Sequence, residues 1–297
     1  MINRNGSGIA CALGAATLYG LVPNVVRGAY NNGVPAIESI FARTCLVAVC
    51  FAVLAILKGD SFRIPRQAWP SFLGQTLATL VVSIGYLASV QFIPVGLAVI
   101  IFYTFPVIVM LAAPLVEGHS PGILRTLIAI FAFAGLALSV GPSFDSLDIR
   151  GILLAAAAAF GCALQCFSGR AISNYMTPAV FGSLVHAIIW VPILLIALWA
   201  GNGTLAIFPG GSANSTGLAF VAASGVVYVI SYMFHMLSVR FAPASVVAPF
   251  FNMEPIVATV IAAFFLGERL ALNQYAGGGM VLAALAASSF IDQRKPA

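Results

Sequence analysis

Charge is what this sequence has least of. Of 297 residues, 7% are Asp, Glu, Lys or Arg, 61% are hydrophobic, and the mean hydropathy is +1.06. A water-soluble domain carries about 25% charged residues, and far fewer cannot cover a water-exposed surface. The shortage is regional. Gln67 to Val116 and Ala171 to Val239 contain no charged residue at all, and each tract is long enough for more than one crossing of ~20 residues. Such a chain is a polytopic helical membrane protein. The groups of catalysis are scarce too. There are three histidines (His119, His186, His235), no HExxH and no Gly-rich phosphate loop with its lysine. No segment is polar or long enough to form a nucleotide-driven motor domain. An enzyme is not expected, and no cofactor or metal is called for. The five cysteines (Cys11, Cys45, Cys50, Cys162, Cys166) all lie in apolar runs. Cys162 and Cys166, one helical turn apart, are a conceivable metal pair, but small apolar filler is the expected reading. The net charge of +5 is carried by single, scattered basic residues, which fits membrane topology rather than a nucleic-acid partner.

What is present is a series of apolar spans punctuated by turns. Ten helices are predicted over 8–29, 35–57, 68–89, 94–116, 122–141, 151–172, 178–200, 215–239, 243–266 and 271–291. Ten spans put both termini on one side. With the N-terminus inside, the inner segments hold Arg4, Lys58, Arg63, Arg66, Arg125, Arg170, Arg240, Arg294 and Lys295. The outer ones hold Arg27, Arg150 and Arg269, so nine against three places both termini in the cytoplasm.

The chain also repeats itself. At an offset of 143, Gly8, Ile9, Ala12, Ala15, Ala16, Leu21, Arg27, Asn31, Pro35 and Ala36 match Gly151, Ile152, Ala155, Ala158, Ala159, Leu164, Arg170, Asn174, Pro178 and Ala179. Those are ten matches in 29 positions, where roughly three are expected by chance. Farther along, at an offset of 149, SVQFIPV (89–95) aligns with SVRFAPA (238–244), Phe102 with Phe251, Pro106 with Pro255, and Gly118 with Gly267. The repeats are 1–145 and 146–297, with five helices each. An odd number inverts the second copy in the membrane, an architecture typical of secondary transporters built around a midplane cavity. Because the first helix has a counterpart in the sixth, it is expected to be structural and retained, not a cleaved signal.

The candidate site follows from the repeat. Pro106 and Pro255 are equivalent, each near the middle of its span, and a proline there leaves the carbonyls of Phe102 and Phe251 without their helical partners. Broken backbone survives in hydrocarbon only against protein or a wet cavity. These prolines are the expected hinge or gating points, with a plain packing kink as the alternative. Glu254, beside Pro255, must face inward. It is either a proton-coupling carboxylate or a protonated side chain bonded to loosened backbone, and the structural role is slightly favoured. Thr79, Ser83 and Tyr86 lie at i, i+4, i+7, and map at 149 onto Tyr228, Tyr232 and His235. Two symmetric polar stripes point to a shared substrate-binding lining, to which Phe102, Tyr103, Phe251 and Asn252 belong, with Tyr19, Asn24 and Gln165 as further contributors. Arg43 aligns with His186. Its options are snorkelling, pairing with Glu38 or Glu254, or contact with substrate, and one of the first two is the expected role.

The stretch EPIVATVIAAFFLGERLALNQYAGGGMVL (254–282), with its Glu-Pro, Gly-Glu and Gly-rich ending, resembles the EamA-type members of the drug/metabolite transporter superfamily. Pro35 to Arg43 resembles the start of that family's second helix. The first copy departs from the pattern, with Phe105-Pro106 for Glu-Pro and Glu117-Gly118 for Gly-Glu. The resemblance implies an all-α membrane protein, ten helices in two inverted halves around a central cavity, exporting metabolites without ATP. The chain also resembles the aromatic amino-acid exporter (YddG-like) branch, which the aromatic stripes suit. The expected protein is a monomeric bacterial inner-membrane carrier exporting aromatic and other neutral amino acids. Its partners are that small molecule and the lipid bilayer, with no nucleic acid. The alternatives are an efflux carrier for drugs or aromatic cations, a passive pore, and a non-transporting membrane scaffold.

Overall fold

The computed structural model of the protein describes residues 4–118, 120–141, 147–266 and 270–293. His119, Gly267, Glu268, Arg269, Arg294 and Lys295, used above in reading the sequence, lie outside the described residues. In chain order the helices are α1 (Arg4–Asn31), α2 (Ala36–Leu57), α3 (Trp69–Ser89), α4 (Val95–Phe102), α5 (Phe105–Val116), α6 (Ile123–Val140), α7 (Ile149–Ile172), α8 (Pro178–Ala200), α9 (Ser215–Phe241), α10 (Ala244–Val247), α11 (Met253–Leu266) and α12 (Leu272–Gln293). Among the described residues nine spans are long and apolar enough to cross a membrane, counting α4 with α5 and α10 with α11 as single crossings. The 22-residue α12 completes the ten. No strand occurs among the described residues, as hydrocarbon demands of a chain that does not close a barrel.

The two halves pack as an inverted pair. α1 lies along α9, and its counterpart α7 lies along α3; α2 faces α8, and α6 faces α12. The matches between the repeats turn out to be packing positions. Ala12, Ala15 and Ala16 of α1, and Ala155, Ala158 and Ala159 of α7, are all 0% exposed, a small-residue stripe that lets helix backbones approach. A Cβ at Gly8 would come 2.5 Å from Cβ of Ala242, and one at Gly151 would come 2.8 Å from Cγ2 of Ile93. Ala242 and Ile93 are themselves repeat mates. Each half therefore sends the start of its first helix against the turn after the other half's third helix. Large apolar side chains such as Leu57, Leu115 and Phe264 are left on the outer surface, where lipid is the solvent.

The ends of the helices use ordinary caps. Asp148, Thr177 and Asn214 accept from the amides of Arg150, Val180 and Gly217 at the starts of α7, α8 and α9. Hydrogen bonds from the exposed Arg150 guanidinium hold the Asp148 carboxyl below the usual carboxylate range. Gly33, in the turn between α1 and α2, has φ +87° and sits where a Cβ would meet the Ser212 carbonyl at 2.8 Å, so only glycine fits.

At the two prolines, read from the sequence as breaks with a packing kink as the alternative, the helices are not merely kinked. Both spans are interrupted outright. α4 ends at Phe102 and α5 starts at Phe105. In the second half α10 gives way to a 3-10 turn over Ala248–Asn252 before α11 begins. Pro106 and Pro255 thus occupy the first turns of new helices, where a missing N–H costs nothing.

Candidate functional site

The two interrupted spans meet the first helix of the opposite half at the centre of the molecule. Phe102, Tyr103, Phe105 and Phe251 form a ring cluster: Phe102 stands 5.1 Å from Tyr103 and 5.7 Å from Phe105, and Phe105 stands 6.2 Å from Phe251, centroid to centroid. Tyr86 of α3 reaches it through Phe102 at 5.2 Å, and His235 of α9 through Phe251 at 4.5 Å. From His235 the aromatic path continues over Tyr19 of α1 (6.1 Å) to Tyr228 (5.7 Å). Glu254 follows from the first turn of α11, two residues after the fully buried Asn252. Gly20 of α1 lets that segment come close, since a Cβ there would meet the Glu254 carbonyl at 2.7 Å. Tyr19, Tyr86, Phe102, Tyr228 and Glu254 are half-buried. They keep some accessible surface although packed among the helices.

The polar stripes divide. Tyr86, Tyr228 and His235 belong to the central cluster. Contacts between helices take the side chains of Thr79 and Tyr232. Gln75 of α3 is 0% exposed; its Nε2 donates to the Tyr232 hydroxyl at 3.1 Å, and its Oε1 accepts from Ser168 Oγ of α7 at 2.7 Å. Gln165 of α7 donates to Thr79 Oγ1 at 2.9 Å. Tyr232 is itself 0% exposed, packed among Phe51, Phe72 and Phe181. This polar network ties α3, α7 and α9 together. Ser83 is buried at 7% exposure on the same face. Sequence reasoning missed Gln75 and Ser168, although Gln75 extends the Thr79 stripe back by one turn and Ser168 follows Gln165 at i+3.

Asn252 is fully buried. Its Nδ2 donates to the Pro249 carbonyl at 3.2 Å, and its Oδ1 has no partner among the described residues. His186 sits edge-on to Tyr232 at 4.6 Å with Nδ1 on the Gly182 carbonyl. Cys166 Sγ lies 3.7 Å from His235 Nε2, and Cys162 is buried one helical turn before it on α7. No group of three or more His, Cys, Asp or Glu suited to a metal exists among the described residues.

Arg43 departs from its expected role. Glu38, its nearest carboxylate in sequence, is occupied by the amides of Ala206 and Ile207 at 3.0 and 3.1 Å. Arg43 instead turns inward, with its guanidinium carbon 4.4 Å over the Tyr228 ring. The ends of the molecule are also tied. Glu117 accepts from Ala244 N at 2.6 Å and Ser245 Oγ at 2.6 Å, and lies 4.0 Å from Arg170 Nε. Arg170 also donates to the Val239 carbonyl at 3.1 Å. A separate cavity of about 600 Å³, lined by Asp60, Arg63, Arg66, Tyr175 and Thr177, opens beside the connection between α2 and α3, away from the central cluster.

Ten helices in two inverted halves, with symmetric interruptions at the centre, define a membrane transporter built from a duplicated module. The chain belongs to the EamA-like transporter family, whose pattern matches twice, over residues 6–141 and 149–290. It is 29% identical over 216 residues to the threonine/homoserine exporter RhtA of Salmonella typhimurium (strain SL1344), covering 70% of this chain and 67% of that protein. The RhtA of Escherichia coli (strain K12) is 30% identical over 211 residues, covering 70% of this chain and 66% of its own length. A solved crystal structure at 14% identity superposes with a TM-score of 0.82 over 97% of this chain and 99% of its own, a likeness of fold alone.

Proposed function

We propose that this protein is a secondary carrier that exports neutral amino acids across the bacterial inner membrane by alternating access, with both termini in the cytoplasm. The carrying observation is the central cluster, where two interrupted helices bring Glu254, Tyr103 and Asn252 together with aromatic rings. That combination offers polar groups for an amino acid's charged ends and apolar faces for its side chain. Similarity to exporters of threonine and homoserine supports the substrate class, and the rings of Tyr19, Tyr86, Phe102 and Phe251 suit larger neutral side chains, aromatic ones included. The inverted halves supply two equivalent hinges, at Pro106 and Pro255, for opening toward either face. A second reading, efflux of aromatic cations, is favoured by the Glu254 carboxylate among aromatic rings. Whole-cell export separates the two. Cells overproducing the chain and fed dipeptides of threonine or phenylalanine should release the free amino acid several-fold faster than control cells. Equal release, with resistance gained to aromatic cations instead, would favour the second reading.

A further inference from the structure

The cavity beside the connection between α2 and α3 belongs to neither half alone. One wall holds Asp60, Arg63 and Arg66 of the first half, and the other holds Tyr175, Thr177 and Val180 of the second. The walls are joined by the Thr177 hydroxyl, which donates to Asp60 Oδ2 at 2.7 Å. Arg63 and Arg66 both line the cavity and stay exposed. Neither forms an ion pair among the described residues, although Asp60 stands in the same cavity. Two guanidinium groups thus share about 600 Å³ of concave space with one carboxylate, a net of one positive charge. The cavity also lies between the ends of two membrane spans. Leu57 ends α2 and Trp69 starts α3, and both are exposed, at 79% and 44%. An exposed tryptophan at the end of a span marks the level of the lipid headgroups. In the orientation proposed above, that level belongs to the cytoplasmic leaflet.

We infer that this cavity binds the headgroup of an anionic phospholipid of the phosphatidylglycerol kind, with Arg63 and Arg66 as the donors to its phosphate. The planar guanidinium fork matches phosphate oxygens, and basic pockets between spans on the cytoplasmic side suit such headgroups. Ser61, Gln67 and Tyr175 of the lining carry hydroxyl and amide groups for the headgroup's glycerol. The acyl chains lie against the exposed apolar ends of α2 and α3, surface that a soluble phosphate does not use. Because the walls come from opposite halves, a seated headgroup bridges them at the membrane surface. The site is separate from the central cluster and stands whatever the carrier's substrate.

Native mass spectrometry of the purified full-length protein tests it, by titration in detergent with phosphatidylglycerol or with phosphatidylethanolamine of the same acyl chains. One net positive charge should favour the anionic lipid about fivefold over the zwitterionic one, and removing both arginines, in Arg63→Gln with Arg66→Gln, should weaken phosphatidylglycerol binding about thirtyfold. Asp60→Asn keeps an acceptor for Thr177 but removes the opposing charge, and should strengthen that binding about fivefold. Arg240→Gln removes an exposed positive charge at the end of α9, outside the cavity, and should leave it within about twofold. Equal binding of the two lipids by the unaltered protein overturns the site, and that comparison needs no variant to fold. A loss in Arg240→Gln as large as in the double arginine variant overturns it as well, since surface charge anywhere would then suffice. Glycerol 3-phosphate, which has the phosphate without the acyl chains, should form no adduct at lipid concentrations that do; binding as tight as the lipid's would make the ligand a soluble phosphate and overturn the lipid assignment.

Discussion

Replacing Gln75 with methionine keeps most of the side-chain volume and removes every polar bond that Gln75 makes. Its Nε2 serves the Tyr232 hydroxyl at 3.1 Å, and its Oε1 accepts from Ser168 at 2.7 Å. The two losses are unequal. Ser168 keeps its bond to the Leu164 carbonyl at 2.6 Å, so little is forfeited there. Tyr232 is 0% exposed and cannot turn to water, so its hydroxyl is left short of its donor. Interhelical bonds inside membranes average about 0.6 kcal/mol and reach about 1.7 kcal/mol. An unsatisfied buried hydroxyl costs about 1–3 kcal/mol. Gln75→Met should therefore destabilise by about 1–2 kcal/mol, and Tyr232→Phe by a comparable amount. The double variant should cost less than the sum, because once one partner is gone the other has nothing left to lose. Equilibrium unfolding by SDS titration in mixed micelles measures all three. Two silent single variants with a cycle additive within about 0.3–0.5 kcal/mol would refute the network. Because Tyr232 is committed to this network, Tyr232→Phe should leave substrate preference where it was.

Gly8→Leu and Gly151→Leu should both lower folded yield and thermal stability, since their Cβ atoms fall 2.5 Å from Ala242 and 2.8 Å from Ile93; tolerance at either position would contradict the symmetric packing. Glu117→Ala removes the acceptor for Ala244 and Ser245 at the start of α10, and should cost about 2 kcal/mol in the same SDS titration, with no change meaning that the cap is idle. On a cysteine-free background, Ser212→Cys should react with a membrane-impermeant maleimide added outside intact cells and Ser61→Cys should not; the reverse pattern would invert the orientation.

Much of this architecture is written locally. Charge-free tracts, short turns and a repeat offset suffice for ten helices and their inversion, because hydrocarbon leaves the backbone few choices. The alanines and glycines matched between the repeats are visible in the sequence as identities, and in the structure Gly8, Gly151 and six of the alanines are points of close helix contact. The prolines at 106 and 255 mark where the spans break. They do not say how, because Tyr103 and the 3-10 turn at Ala248–Asn252 adopt their conformations through tertiary packing. The role of Arg43 is not legible at all. Glu38 is its obvious partner five residues away, but amides of Ala206 and Ile207, 168 and 169 residues along the chain from Glu38, take that carboxylate. Gln75 is similarly hidden: its repeat mate is Ser224, also buried, and two unlike polar residues do not announce an interhelical bond.

The carrier reading rests on a substrate that binds and then reorients with the protein. Counterflow measures this most directly: proteoliposomes of the purified protein are loaded with unlabelled threonine or phenylalanine and diluted into a trace of the labelled amino acid. The account predicts a transient labelled overshoot inside, an initial rate that saturates with external amino acid, and loss of the overshoot when the vesicles are loaded with buffer alone. Flux that rises linearly with concentration and shows no overshoot would mean a pore, and no uptake of either amino acid under any loading would contradict the account at its centre.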